Sequence, residues 1–179
     1  MGVKLKSTEN RFGTMARFLH WTSALLFLVL LGSGFRAAFV TDVEAKATIM
    51  MVHLPTAIAV LLLTIGRLIW WWRFDHKPDP VSGTSAWQNR IARWTHRGLY
   101  AGILLMLASG IAMSAMSGLP GAVFGDAPYP ELADLPPRSG HWFGARFLTT
   151  LILLHAGAAL FHHFILKDRT LKRMLSREA

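Results

Sequence analysis

The chain has 179 residues, 53% of them hydrophobic and only 16% charged, well below the roughly 25% charge of ordinary globular proteins. Its net charge of +9 flanks apolar runs instead of forming a separate basic domain, which excludes a nucleic-acid partner and fits Lys and Arg facing anionic lipid. With no cysteine, disulfides, thiolate-ligated haem, cysteine-ligated iron–sulfur clusters and covalent haem attachment are excluded, so a metal centre must rest on His, Met or carboxylate.

Residues 1–17 are polar and basic, and no small-residue cleavage pattern follows. Residues 18–35 are therefore expected to open a first span, not a cleaved signal. Four apolar segments, roughly 16–40, 45–72, 91–116 and 142–166, each approach the ~20 residues that a membrane helix requires. A short turn over 41–46 joins the first two. The stretch 73–90 contains KPDPVSG and reads as loop. Residues 117–140 contain several prolines, which predict irregular loop and bar a long helix. Neither an internal repeat nor a soluble domain interrupts this pattern, and residues 1–179 are expected to form a single transmembrane domain.

Four Lys and Arg precede the first span, six surround the loop between spans two and three, and five follow the last span. The remaining four of the nineteen are Arg36, Lys46, Arg138 and Arg146. By the positive-inside rule both termini are expected to be cytoplasmic. Trp70, Trp71, Trp72, Trp87 and Trp94 then gather at the inner boundary and Trp142 lies at the outer one, as interfacial aromatics do.

Histidine carries the functional signal, because an imidazole in hydrocarbon is costly and is normally kept for a purpose. Given that orientation, His53 in span two and His141 at the start of span four lie at the outer side. His20, His96, His155, His162 and His163 lie toward the inner side, and only His76 sits in an evident loop. Fourteen residues separate His141 from His155, which places both rings within about 40° of one helix face and roughly 21 Å apart along the axis. A haem b between helices needs two imidazoles at matching depth on different helices. The outer pairing is His53 with His141. The inner one is His155 with His20 or His96, of which depth favours His20. His162 lies about 10 Å beyond His155 on the same face, a suitable place for a group that binds a ligand beside the inner haem. His163 faces another way and reads as interfacial.

Arg67 lies fourteen residues after His53 and so shares its helix face, about 21 Å deeper. It could pair with an inner-haem propionate or snorkel to lipid phosphates. Gly32, Gly34, Gly66, Gly102, Gly110, Gly144 and Gly157 lie in or near the spans and could let a flat macrocycle approach backbone, although close helix packing is the commoner use of small residues in lipid. No carboxylate lies inside a span, which counts against an ion pump and leaves a bare-metal site without its usual completing ligand.

With these residues in place, the chain resembles the bacterial cytochrome b561 proteins, four-span di-haem b cytochromes of the inner membrane. It is also similar to the cytochrome b subunits of formate dehydrogenases and nickel–iron hydrogenases. The resemblance runs from RFLHW (Arg17 to Trp21) through VHLPTAI and IGRL to HAGAALFHHFILKD, and the spacing of His141 and His155 on the last helix is its most specific part. It implies that His20 and His155 hold the inner haem and that His53 and His141 hold the outer one. His96 and His162 are then left for a ubiquinone site at the cytoplasmic side. Leu166 stands where the resemblance leads one to expect a tryptophan before Lys167 and Asp168.

The expectation is therefore an all-α membrane protein, a four-helix bundle binding two b-type haems, embedded in lipid with both termini cytoplasmic. Family members include a superoxide oxidase, so the resemblance implies electron transfer from superoxide at the periplasmic side to ubiquinone. His20, His53, His141 and His155 are the expected iron ligands, Arg67 a further haem contact, and His96 and His162 the groups that serve quinone protonation. One rival reading is an electron-relay subunit fed by a periplasmic dehydrogenase, hydrogenase or haem protein; another is a haem-free metal transporter. The outer cations face Asp42, Glu44, Asp126, Glu131 and Asp134, so no long-range electrostatic funnel for superoxide is evident.

Overall fold

A computed structural model describes residues 5–175. Among them the regular structure is helical: α1 (Thr14–Phe39), α2 (Val43–Ile69), α3 (Ala86–Ser117), α4 (Leu119–Phe124), α5 (Pro136–Phe164) and α6 (Lys172–Leu175). A π-helical turn, Trp70–Phe74, continues α2. Four helices are long and apolar enough to cross a membrane: Thr14–Phe39, Val43–Phe74, Ala86–Ser117 and Pro136–Phe164. Their surfaces are largely apolar, with Leu28, Leu62, Leu105, Phe147 and Leu153 among many exposed side chains. Such surfaces suit lipid, which stabilises no polar exterior. Few residues are fully buried, because there is no aqueous phase to drive a large apolar core.

The third helix begins at Ala86, within the stretch 73–90 expected as loop, and the π-helical turn reaches Phe74; two further departures lie later in the chain. Residues 117–140, expected as loop, contain α4, and α5 begins at Pro136 instead of near 142. The prolines explain both. Pro120 sits in the first turn of α4, and Pro136 and Pro137 open α5. There a missing N–H costs nothing and a fixed φ is already helical. Pro55 lies inside α2, where it removes one ladder donor, a loss that transmembrane helices tolerate.

The chain divides into two compact units, and both draw on all four long helices. Among the described residues the first comprises 5–24, 62–98 and 150–175, the second 25–61 and 99–149. In the first unit the polar segments are tied down around Asp75, which is 5% exposed. Its carboxylate accepts the Ser7 backbone N–H at 2.9 Å, the Ser7 hydroxyl at 2.8 Å, the Trp70 indole N–H at 3.1 Å and the His76 N–H at 2.9 Å. Arg173 donates to the carbonyls of Asp79 at 2.8 Å and Glu9 at 3.0 Å, linking α6 to both segments.

The second unit packs Met50 of α2 against Leu119 and Val123 of α4, with Tyr129 and Leu132 alongside. This small apolar cluster gives α4 its reason to form within a proline-rich stretch.

Candidate functional site

In the second unit, His53 on α2 and His141 on α5 are close enough to interact electrostatically. Each ring is held from a neighbouring helix. Ser33 Oγ on α1 lies 2.9 Å from His53 Nδ1, and Ser109 Oγ on α3 lies 2.9 Å from His141 Nδ1. The residue after each serine is glycine. A Cβ at Gly34 would stand 3.2 Å from His53 Cε1, and one at Gly110 would stand 3.4 Å from His141 Cε1. Both rings therefore lie close against helix backbone, where a Cβ would make a tight contact.

In the first unit, His20 on α1, Arg67 on α2, His96 on α3 and His155 on α5 converge. The ring centres of His20 and His155 are 6.2 Å apart at 68°, and those of His96 and His155 are 5.2 Å apart at 79°. Two imidazoles on opposite sides of one metal, each with a metal–nitrogen bond of about 2 Å, have ring centres roughly 6 Å apart. The His20–His155 separation suits that arrangement, and the His96–His155 separation is short for it. His96 also bonds its own helix, with Nδ1 2.6 Å from the Ala92 carbonyl. An Arg67 guanidinium nitrogen lies 3.3 Å from His20 Nδ1, a partner that neither expectation for Arg67 included.

Imidazoles thus meet from separate membrane helices in each unit, and the family comparison then decides the class. The family model described as prokaryotic cytochrome b561 matches residues 11–177. The chain belongs to the prokaryotic cytochrome b561 family.

Among relatives of this cytochrome b561 chain, "Cytochrome b561 homolog 1" of Escherichia coli (strain K12) is 34% identical, over 94% of this chain and 98% of its own length. "Cytochrome b561 homolog 2" of the same strain is 29% identical, over 99% of this chain and 97% of its length. "Probable superoxide oxidase CybB" of Yersinia pestis is 29% identical, over 95% and 98% of the two chains. Membership makes this a transmembrane electron-transfer protein of the b-type haem class, and the four long helices fit a bacterial inner-membrane protein. The residues present suit haem: paired imidazoles from separate helices, and glycine at the two points where backbone meets a ring.

The other sequence-derived residues of this cytochrome b561 separate in role. His162 turns to Asp168, with Nδ1 2.5 Å from Oδ2, whereas His96 faces His155. The Asp168 carboxylate also accepts the Thr170 N–H at 2.8 Å. Burial raises its pKa, but the bonds from His162 and from Thr170 outweigh burial and hold it below the usual aspartate range. Lys167, at φ 54°, makes the left-handed turn that brings Asp168 back beneath the helix end. His163 Nδ1 is buried and without a hydrogen-bond partner, its ring 4.7 Å from that of Phe164. His76 is an exposed loop residue, as expected. Lys77 adds positive charge near Arg67; burial, with Arg67 and Arg97, pushes its ammonium below the ordinary lysine value.

Three contributors escaped sequence reasoning: Ser33, Ser109 and the pairing of Asp168 with His162. The first two had a signal, a Ser–Gly pair inside a span opposite each outer histidine. The third depended on a turn at Lys167 that no local pattern announces.

Proposed function

We propose that this cytochrome b561 carries electrons across the bacterial inner membrane from superoxide at the periplasmic side to ubiquinone at the cytoplasmic side, as a superoxide oxidase with both termini cytoplasmic. Two superoxide anions each give up one electron and become dioxygen, and one ubiquinone takes two electrons and two protons. Haem b, when bound, supplies the one-electron change at iron. His53 with His141, and His20 with His155, would hold it in the two sites. Two imidazoles would occupy the metal, so superoxide would pass its electron without binding it.

The observation that carries this reading is the 6.2 Å separation of the His20 and His155 rings on different helices, within a family of b-type cytochromes. Arg67, against His20, supplies a fixed cation for acidic haem substituents. His162 serves ubiquinone: ionised Asp168 engages Nδ1 and so leaves Nε2 as the nitrogen that can pass a proton to a quinone oxygen. His96, whose Nδ1 bonds Ala92, is the second candidate for that role. The name of the Yersinia pestis relative supports superoxide as the donor.

Acidic groups near the outer cations are engaged locally. Asp42 accepts the Ala45 N–H at 2.7 Å, and Glu131 accepts those of Leu132 and Ala133 at 2.9 and 3.0 Å.

The test is stopped-flow absorbance of the purified, oxidised cytochrome mixed with superoxide, followed by a ubiquinone analogue. Rapid haem reduction and reoxidation by the quinone are expected. Haem that ignores superoxide would overturn the donor assignment and favour the relay subunit.

A further inference from the structure

The two outer histidines are held in the same way by two different helices, and the protons in that arrangement can be assigned. A serine hydroxyl has one hydrogen and two acceptor lone pairs. Ser33 spends its hydrogen on its own helix, with Oγ 2.7 Å from the Val29 carbonyl. Ser109 does the same, with Oγ 2.9 Å from the Met106 carbonyl. Each oxygen thus meets the facing imidazole, at 2.9 Å in both cases, as an acceptor. Both oxygens ask the same of the ring nitrogen. Nδ1 of His53 and of His141 carries the hydrogen, and the lone pair of each neutral imidazole lies on Nε2.

Gly34 and Gly110 complete the device. Cε1, the atom each would crowd, lies between the two ring nitrogens. A side chain there would tilt the ring and swing Nε2 with it. Among the described glycines, these two alone would meet a histidine within 4 Å.

The inner histidines have no such pair. An Arg67 guanidinium nitrogen lies 3.3 Å from His20 Nδ1, a full positive charge beside the inner pair, and Arg67 also acts electrostatically on His155. The two environments push an axially bound iron in opposite directions. A hydrogen bond given by Nδ1–H makes an imidazole a stronger electron donor and so favours the oxidised metal. A nearby cation favours the reduced, less positive one.

We propose that Ser33–Gly34 and Ser109–Gly110 are paired positioning elements that present Nε2 of His53 and His141 to haem iron and hold the outer haem at a lower potential than the inner one. The inference rests on the ligand assignment proposed above. It gives that assignment a direction: electrons arriving at the outer haem run downhill toward the inner haem.

The experiment is a potentiometric titration of the holoprotein in detergent, read by reduced-minus-oxidised absorbance and by the low-spin ferric EPR spectrum. The variants are Ser33→Ala, Ser109→Ala, and Ser33→Thr and Ser109→Thr as conservative rescues. A His53→Ala sample, keeping only the inner haem, identifies which component is which. At a fixed poise, each Ser→Ala is expected to raise the reduced-to-oxidised ratio of the outer haem roughly three- to tenfold, where tenfold corresponds to about 59 mV for one electron. The outer EPR signal should shift, the inner component should stay unmoved, and the Thr variants should lie close to the parent. Loss of the outer haem in Ser→Ala with retention in Ser→Thr would also support the proposal. Unchanged potentials in both alanine variants, equal shifts of both haems, loss in the Thr variants too, or an outer haem that titrates above the inner one would overturn it. A parent protein with fewer than two haems, or a His53→Ala protein that keeps both, would instead refute the underlying ligand assignment.

Discussion

His20 on α1 and His155 on α5 place their ring centres 6.2 Å apart, the spacing that two axial ligands of one metal require. His96 stands nearer to His155, at 5.2 Å, and uses Nδ1 on its own helix. The inner site therefore offers three imidazoles, of which one pair has the separation for iron.

Substituting the ligands should remove haem site by site. His53→Ala or His141→Ala is expected to lower the haem content from about two to about one per chain, and His20→Ala or His155→Ala to do the same for the other haem. His96→Ala should keep both. Pyridine-haemochrome quantification against protein concentration measures this. A His96→Ala protein with one haem would make His96 the ligand in place of His20.

His162 and Asp168 should matter to the quinone and not to haem. His162→Ala and Asp168→Asn are expected to retain both haems while slowing haem reoxidation by a ubiquinone analogue, by roughly tenfold or more for loss of a proton-transfer group. Haem loss in His162→Ala would make that residue a ligand.

The same pair sets a pH dependence. The folded-state pKa of Asp168 is depressed, so its contribution to stability is fully present above the ordinary aspartate range. It is lost as pH falls through the lower folded value. The difference in thermal stability between the parent and Asp168→Asn should be constant around neutrality and vanish only in strong acid. A difference that already disappears within the ordinary aspartate range would show that the carboxylate is not held by these bonds.

Much of this architecture was legible because the lipid phase imposes it. Four apolar runs had to be helices, and depth along them groups the histidines that the structure brings close, His53 with His141 and His155 with His20 and His96. What escaped notice has a physical cause in each case. Ser33 and Ser109 bond their own helix carbonyls, as serines in membrane helices commonly do, and only the folded chain reveals a second partner. Pro136 and Pro137 read as breakers, yet at a helix start they are favourable. Arg67 reads as a propionate partner or a lipid-facing cation, yet its neighbour is His20, which no spacing on α2 could indicate. Asp168 reaches His162 only through the positive φ of Lys167.

Stability should depend on the buried carboxylate of Asp75. Asp75→Ala leaves the Ser7 and Trp70 donors without their acceptor, at a cost of about 1–3 kcal/mol for an unmet buried group. A lower melting temperature and faster proteolysis within residues 5–13 are expected, with both haems retained. An unchanged protease pattern would contradict the anchoring role of this carboxylate.

The measurement that bears most directly on the central claim is the haem content and reduced-minus-oxidised spectrum of the detergent-purified protein, with His53→Ala and His155→Ala beside it. The account predicts two b-type haems per chain in the parent and a different single haem in each variant. A colourless parent, or variants that lose both haems while remaining folded, would contradict it.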